Sequence, residues 1–406
     1  MTSAPPTPVA DVSTGARPRR MSPTAAFWTL AATLLAFMCA AAAPSPLYSV
    51  YQDEWQFSAI TLTVVFAVYA IALLAALITV GALSDHIGRR PALLAALATQ
   101  AVAMIAFITA DGSGWLLVAR ILQGLATGLA TGATSACLVD LRPKLAPLIN
   151  TAAPGIGLGA GALGSGLLVE YAPAPTTLVY VLLLVACAVS AVGVALMPET
   201  SPRHPGALTS LRPRIGVPGN ARGRFLTVVP ILVTTWSMTG FYMSLGPSLA
   251  IELLGITNHL VGGFVVCCLM GTAAIGSIVF RHRSPRAAII AASPVLLVGL
   301  IGTLAALATA SAPLFFVSTV ITGFGFGGAF LGAFGSVSQL AEPNRRAALF
   351  ATVYTVNYSA FSLPAVAAGV AVTQVGLSWT ANAYAIIVAV VATIGLISAV
   401  RLLPKH

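Results

Sequence analysis

Charged residues are scarce in this chain, and their scarcity excludes most classes of soluble protein. Of the 406 residues, 7% are charged and 58% are hydrophobic, and Asp and Glu together number only 10. Soluble domains have about 25% charged residues and about 45–50% apolar ones. So few polar side chains cannot cover the surface of a water-soluble globule of this length. We therefore expect most of the surface to face lipid.

Metal-binding and catalytic clusters are also missing from the sequence. The five cysteines all fall within apolar runs, without metal-ligand spacing or a disulfide pattern. We find no phosphate-binding loop of the ATP-hydrolysing type, no nucleophile–histidine–acid arrangement and no carboxylate pair placed for catalysis. We predict that the chain is not an enzyme and uses no metal or other cofactor.

Long apolar runs are what the sequence does contain. About 20 apolar residues span the hydrocarbon core of a bilayer, and twelve runs reach that length. The runs do not alternate apolar with polar residues as the strands of a membrane barrel do, so we predict helices. The predicted spans are residues 26–50, 59–83, 91–110, 114–139, 147–169, 176–197, 225–250, 259–280, 287–308, 313–338, 347–371 and 379–402.

The basic residues are distributed unevenly between the predicted loops. If the N-terminus is cytoplasmic, all but one of the 20 Lys and Arg residues lie on that side, and the opposite loops carry acids such as Asp111 and Glu170. Cytoplasmic loops of membrane proteins are enriched in Lys and Arg. We predict a multi-pass protein of the cell inner membrane with both termini in the cytoplasm. The net charge of +10 then reflects topology, and we expect no binding of nucleic acid.

Two polar segments divide the chain. Residues 1–24 are rich in Pro, Ser, Thr and Ala and include three arginines, which predicts a disordered basic cytoplasmic tail. Residues 198–224 contain prolines, glycines and five arginines, which predicts a cytoplasmic linker. The linker separates an N-terminal six-helix bundle at 25–197 from a C-terminal six-helix bundle at 225–402.

The two predicted bundles resemble each other weakly at an offset of about 200 residues, a pattern found in several transporter folds. PSPLY at 44–48 corresponds loosely to GPSLA at 246–250. Gly124 and Gly128 align with Gly323 and Gly327. We predict an all-α integral membrane protein with twelve helices in two pseudo-symmetric bundles.

The loop between the second and third predicted helices concentrates charge. Residues 81–90 read GALSDHIGRR, which gives the pattern G-x-L-x-D-x-x-G-R-R. This pattern resembles the loop signature of the major facilitator superfamily. Together with the twelve helices, the linker and the internal repeat, the resemblance extends over residues 25–402. It implies a secondary transporter whose bundles rock about a central site, so that the site faces each side of the membrane in turn.

The resemblance suggests that this loop is a gating latch. The carboxylate of Asp85 would meet the positive N-terminal end of the eleventh helix and stabilise the state closed to the cytoplasm. Gly81 and Gly88 would permit a tight turn, while Arg89 and Arg90 would hold Asp85 and contact anionic lipid headgroups. A purely topological role would explain the arginines, but not the acid or the glycines.

Arg120 is the one basic residue predicted within the membrane. Arg120, Gln123 and the glycine that follows resemble the fourth-helix motif R-x-x-Q-G of the superfamily, whose arginine is linked in relatives to proton transfer or gating. An arginine at the membrane centre costs about 2.5–3.5 kcal/mol on insertion scales. We predict a role in proton coupling or gating, with Asp53 or Glu54 as the acidic partner. The alternative is an arginine that extends to the outer headgroups.

Polar and aromatic residues within the spans are candidates for the substrate cavity, which helices one, four, seven and ten line according to the resemblance. Hydrogen bonding between helices would explain any single candidate equally well. His259, at the outer start of the eighth helix, is interpreted as a plain loop residue. The cavity candidates are Tyr48, Tyr51, Asn150, Trp236, Tyr242, Tyr354, Asn357 and Tyr358.

These features predict a monomeric transporter whose partners are a small organic molecule, protons and membrane lipid. Because the cavity candidates are aromatic and nearly uncharged, we favour proton-coupled efflux of drug-like or amphipathic compounds. The fifth helix only partly resembles the G-P-x-x-G-G motif of the superfamily's antiporters, so a solute:proton symporter that imports a metabolite remains an alternative. A non-transporting sensor or assembly protein on the same fold is a third possibility, but it would have little use for the latch.

Overall fold

The computed structural model describes residues 21–80, 83–201, 216–255, 258–339 and 346–403. Gly81 and most of the predicted tail and linker lie outside these ranges. A few side chains within the ranges are also outside the description: those of Asp85, Pro147, Asn220, Glu252, Leu253, Leu254, Arg346, Ala347 and Ala348.

The described residues form α-helices and one short 3₁₀ turn, without any strand. Twelve helical segments among them are long and apolar enough to cross a bilayer, which confirms the predicted all-α membrane fold. The helices are α1 (Pro23–Ala42), α2 (Pro44–Trp55), α3 (Ala59–Val80), α4 (Ser84–Ile87), α5 (Arg89–Ile108), α6 (Ser113–Leu141), α7 (Ala146–Tyr171), α8 (Pro175–Leu196), α9 (Arg222–Ser244), α10 (Gly246–Leu254), α11 (His259–Phe280), α12 (Pro285–Ala308), α13 (Ala312–Ser338), α14 (Arg346–Val375) and α15 (Leu377–Leu402).

The first helix begins and the last helix ends at the same face of the molecule, which we call the terminal face. Near the start of α1, Thr24 accepts a hydrogen bond from Arg142 at the end of α6, at 2.6 Å. At the start of α12, Arg286 donates to the carbonyl of Val400 in α15, at 2.9 Å. The other side is called the opposite face, and it contains the ends of α5, α7 and α12.

The first and seventh spans, which are predicted as continuous helices, are each broken. The two breaks lie at equivalent places. The first span breaks at Ala43, between α1 and α2, and the seventh breaks at Leu245, between α9 and α10. Proline lacks the backbone N–H that would bond to the carbonyl four residues earlier. Pro44 and Pro247 stand at these two breaks, so the weak match of PSPLY to GPSLA marks a shared local structure.

Equivalent glycines pack equivalent helices in the two bundles. A Cβ on Gly124 of α6 would collide with the Tyr69 carbonyl of α3, and one on Gly323 of α13 would collide with the Leu269 carbonyl of α11. Small residues let membrane helices approach closely, and here they do so at matching positions. The pseudo-symmetric pair of six-helix bundles is therefore present in the packing as well as in the sequence.

The described residues form three apolar cores, one shared by both bundles and two confined to a single bundle. The largest core combines residues of both bundles, with Phe66 of α3 packed on Phe361 of α14 at a ring distance of 4.7 Å. The other two cores lie nearer the terminal face. One contains only residues of the first bundle, including Phe27 and Leu138, and the other only residues of the second, including Phe225. The bundles thus share an apolar core towards the opposite face and have separate cores towards the terminal face.

Candidate functional site

The break in the first span exposes a backbone carbonyl that a side chain from another helix satisfies. Ala40 would accept from residue 44, but that residue is Pro44 and has no N–H. Gln123 of α6 supplies the missing donor through Nε2, at 2.9 Å from the Ala40 oxygen. Ser165 of α7 donates to the Ala43 carbonyl at 2.6 Å. The fourth and fifth spans are therefore attached to the break by their side chains.

Arg120 lies beside this break and is fully buried. Its Nη1 donates to the Ala41 carbonyl at 3.1 Å and to Oε1 of Gln123 at 2.6 Å. Its Nε donates to the Tyr48 hydroxyl at 2.8 Å, and Nη2 donates to the same oxygen. The alternative in which Arg120 extends to the headgroups is therefore wrong. The guanidinium is held by neutral oxygens of α1, α2 and α6.

Aromatic rings surround the buried guanidinium. Its central carbon lies 5.4 Å from the ring centre of Tyr48, 5.3 Å from that of Tyr69 and 5.9 Å from that of Phe107. Cations are attracted to the negative faces of aromatic rings, more strongly where water is excluded. Phe107 stacks in turn on Tyr180, whose hydroxyl lies 3.3 Å from that of Tyr51. Tyr48 and Tyr51 are therefore parts of the Arg120 environment within the first bundle.

The predicted pairing of Arg120 with Asp53 or Glu54 is not formed in this structure. Both acids are exposed near the end of α2, whereas Arg120 is fully buried. Residues three and four apart share a helix face. Tyr48 and Tyr51 therefore face the core, while Asp53 and Glu54 fall on the exposed side of α2. Tyrosine occupies the position that the sequence analysis assigned to a carboxylate.

A cluster of aromatic side chains lies in the second bundle, on α9, α13 and α14. Trp236 is at its centre, with ring distances of 4.7 Å to Tyr358, 6.2 Å to Phe330 and 6.0 Å to Phe361. The ring pairs Phe330–Phe334, Phe334–Phe350 and Tyr354–Tyr358 extend it towards the terminal face. We call this set the aromatic cluster: Trp236, Phe326, Phe330, Phe334, Phe350, Tyr354, Tyr358 and Phe361.

Exposure within the aromatic cluster rises towards the terminal face. Phe361 is 4% exposed, and Phe326 and Tyr358 are each 9% exposed. Phe334 and Phe350, nearer the terminal face, are half-buried, as is Trp236. The phenylalanines were missed by the sequence analysis because their residue type is ordinary in a lipid-facing helix. Their spacing of four residues in α13 was the available signal, since it places Phe326, Phe330 and Phe334 on one helix face.

The remaining cavity candidates lie apart from the aromatic cluster or within helix contacts. Tyr242 is buried in the second bundle, with its hydroxyl 3.2 Å from that of Thr319. Asn357 is fully buried in α14, and neither of its amide atoms has a hydrogen-bond partner among the described residues. Asn150 is half-buried near the start of α7. Within the described part of the chain, no group of His, Cys, Asp and Glu residues could hold a metal ion.

Around the predicted latch, the structure adds an acid that the sequence analysis missed. The carboxylate of Glu199, just after α8, accepts from the backbone N–H of Arg89 at 2.9 Å and from that of Arg90 at 3.1 Å. Arg89 also pairs with Asp140 at the end of α6, at 2.9 Å between Nε and Oδ2. A carboxylate at a helix N-terminus satisfies free N–H groups and is favoured by the helix dipole. Glu199 therefore attaches the latch loop to the end of α8.

Gly88 is required by this arrangement. Its φ of +99° is a conformation that residues with a side chain rarely adopt. A Cβ there would also lie 2.8 Å from an oxygen of Glu199. The latch glycine thus allows the carboxylate to reach the start of α5.

His259 is not a plain loop residue. It begins α11, and its backbone N–H donates to Glu170 of α7 at 2.9 Å. Its Nδ1 lies 3.3 Å from the hydroxyl of Ser49 in α2. These contacts cross between the bundles at the opposite face.

Comparisons with known proteins agree with this architecture. A sequence model described as the Major Facilitator Superfamily matches residues 29–363. The multidrug resistance protein MdtL of Shigella flexneri serotype 5b (strain 8401) is 26% identical over 294 residues, covering 69% of this chain and 73% of that protein. MdtL of Escherichia coli O139:H28 (strain E24377A / ETEC) is 27% identical over 295 residues, with the same coverage.

Among solved structures, the human organic anion transporter MFSD10 (TETRAN) superposes with a TM-score of 0.67 at 18% sequence identity. The match covers 92% of this chain and 98% of that one. At this identity the likeness concerns the fold.

Proposed function

This chain belongs to the major facilitator superfamily and is a multi-pass secondary membrane transporter; we propose that it exports drug-like or amphipathic compounds in exchange for protons. The observation that carries the proposal is the aromatic cluster, whose eight rings offer a broad apolar surface without a charged side chain among them. Such a surface binds flat apolar molecules through ring stacking and burial of apolar area, and it does not select one polar headgroup. The similarity to MdtL multidrug resistance proteins supports the same substrate class.

We propose that the terminal face is cytoplasmic, because the Lys and Arg residues are concentrated there. The structure then corresponds to a state closed on the outside. The apolar core shared by both bundles would form the outer closure, and the separate cores would leave a cleft open to the cytoplasm. A compound entering this cleft would meet the half-buried rings of Phe334 and Phe350 before the buried rings of Phe361 and Tyr358.

The predicted latch supports alternating access in this proposal. Asp85 would close the cytoplasmic side by meeting the N-terminus of α14 when the bundles rock together there. Glu199 and Asp140 would hold the loop and Arg89 in register for that contact. Substrate would shift the equilibrium by binding the two states with different affinity.

Arg120 is proposed to act in gating or proton coupling through Tyr48. Their hydrogen bonds connect α6 to α2, the helix that follows the break in the first span. A change in protonation or position at this site would therefore move α2 relative to α1. Tyr51, Gln123 and the exposed acids Asp53 and Glu54 belong to the same region and are the other coupling candidates.

Drug tolerance of cells that lack their main exporters tests the proposed function. Expression of the chain should raise tolerance to several unrelated aromatic compounds. Trp236→Leu should abolish much of the gain, because it removes the ring at the centre of the aromatic cluster. Trp379→Leu is the matched control, since Trp379 is 63% exposed at the start of α15.

If both tryptophan variants lose tolerance equally at matched expression, the aromatic cluster has no specific role in substrate binding. No gain in tolerance across a broad panel would contradict multidrug efflux. Uptake assays with metabolites would then examine the import alternative.

A further inference from the structure

The junction of α7 and α11 at the opposite face contains a set of polar contacts between the bundles. Oε2 of Glu170 accepts from the N–H of His259 at 2.9 Å. The adjacent Asn258 caps α11, and its Nδ2 donates to the Tyr171 hydroxyl at 3.3 Å. Ser49 of α2 lies 3.3 Å from Nδ1 of His259. The contacts join three elements, two from the first bundle and one from the second.

Close backbone packing continues below these contacts. A Cβ on Gly263 of α11 would collide with the carbonyl oxygen of Ala162 in α7. A Cβ on Gly166 of α7 would lie 3.1 Å from the carbonyl oxygen of His259. Glycines thus let the two helices approach closely here, with no side chain at either position to hold them together.

We propose that Glu170 and the N-terminus of α11 form the gate latch of the opposite face. A carboxylate from one bundle meets the free N–H groups and positive dipole end of a helix in the other bundle. This is the physical device predicted for Asp85 at the terminal face. The inference rests on the alternating-access transport of the proposed function, in which the two latches would close in turn.

The position of the latch suits a contact that must break in each cycle. Glu170 and His259 are only half-buried, so water can reach both groups as they part. A buried carboxylate would lose its partners without solvation and would resist opening. Tyr171 at the same junction is the last residue of α7 and is 67% exposed, so the latch lies at a helix end.

Ser49 connects the latch to the buried Arg120 site. Its hydroxyl lies 3.2 Å from the Pro46 carbonyl and 3.3 Å from His259, and the preceding residue is Tyr48, which binds Arg120. Helix α2 therefore contacts the latch and the buried guanidinium at neighbouring residues. Opening of the opposite face would pull on the first span beyond its break at Ala43.

Cross-linking in the full-length chain tests the latch without any substrate. In a background with the five native cysteines replaced, the pair Ser49→Cys and His259→Cys should react with a short thiol cross-linker. The His259→Cys change keeps the backbone N–H from which Glu170 accepts a hydrogen bond. Adding Glu170→Gln should lower the rate of cross-linking about two- to fivefold, because the charge–dipole attraction that holds the gate closed is lost. Glu170→Ala should lower it further.

Asp111→Asn is the matched control, because Asp111 is an exposed acid of the same face. It should leave the rate unchanged, and all variants should elute as the parent does on size exclusion. An unchanged rate in Glu170→Gln and Glu170→Ala would overturn the proposal. So would full transport by the cross-linked pair. Failure of drug efflux would leave the cross-linking result intact, so the two proposals fail separately.

Discussion

The hydroxyl oxygen of Tyr48 accepts two hydrogen bonds from the guanidinium of Arg120, one from Nε at 2.8 Å and one from Nη2. One neutral oxygen on α2 thereby serves half of the polar contacts of a charge buried in α6. A buried cation normally has a carboxylate partner. Here one backbone carbonyl, an amide and a phenol take that role, and aromatic rings complete the surroundings.

Tyr48→Phe should therefore destabilise the protein more than an ordinary loss of a buried hydroxyl. Removal of the oxygen leaves two donors of a buried charge unpaired, at a cost of about 1–3 kcal/mol for each donor. Tyr180→Phe is the matched control, because it breaks only the contact between two neutral hydroxyls and should cost about 1 kcal/mol. Thermal unfolding in detergent measures both. Equal shifts in the two variants would contradict a special role of Tyr48.

Gly263→Ala should disturb the contact between the bundles. The added Cβ collides with the Ala162 carbonyl, so α7 and α11 must separate and the closed opposite face is disfavoured. Gly271→Ala in the same helix meets only the Cys267 sulfur at 3.9 Å and should be neutral or slightly stabilising. Transport and the cross-linking rate of the Ser49→Cys and His259→Cys pair check this prediction. Parental values of both in Gly263→Ala would refute it.

Glu199→Ala should loosen the start of α5. Loss of a side chain that caps a helix N-terminus costs about 0.5–2 kcal/mol. The exposed Glu54 offers the control, and Glu54→Ala should have little effect. Proteolysis of the loop around residue 88 and thermal unfolding are suitable measurements. If Glu199→Ala and Glu54→Ala behave alike, Glu199 does not anchor the loop.

Asp85→Asn should impair transport by weakening closure of the terminal face. The neutral amide keeps the shape of the side chain but loses the charge that the N-terminus of α14 attracts, an interaction of about 0.3–1 kcal/mol. Drug tolerance at matched expression should fall, while Asp111→Asn retains the parental level. If Asp85→Asn keeps the parental tolerance, the charge of Asp85 does not contribute to the latch.

Twelve spans, their order and the pseudo-symmetric bundles could be predicted from the sequence, because membrane length and the distribution of Arg and Lys are properties of local segments. The ends of the helices also agreed to within a few residues for most spans. The breaks at Ala43 and Leu245 were not predicted. Each lies inside a continuous apolar run, and only Pro44 and Pro247 indicated them.

Contacts between distant segments explain most of what the sequence analysis missed at the sites. Opposite charge suggested Asp53 or Glu54 for Arg120, but the turn of α2 places Tyr48 there instead. Glu199 lies about 110 residues along the chain from the two N–H groups that donate hydrogen bonds to it, and no local sequence pattern connects them. His259 looked like a loop residue because its partners, Glu170 and Ser49, belong to the other bundle.

The Ala40 carbonyl also constrains how the chain is made. Its natural donor is absent because residue 44 is proline, and its partner Gln123 lies 83 residues later. An unpaired carbonyl in lipid costs several kcal/mol. During synthesis, the Ala40 carbonyl of the first span therefore lacks this hydrogen bond until the fourth span is inserted beside it. The hydrogen bonding of the early segment is thus completed by a later segment. Truncation between the third and fourth spans should leave a product that quality-control proteases recognise.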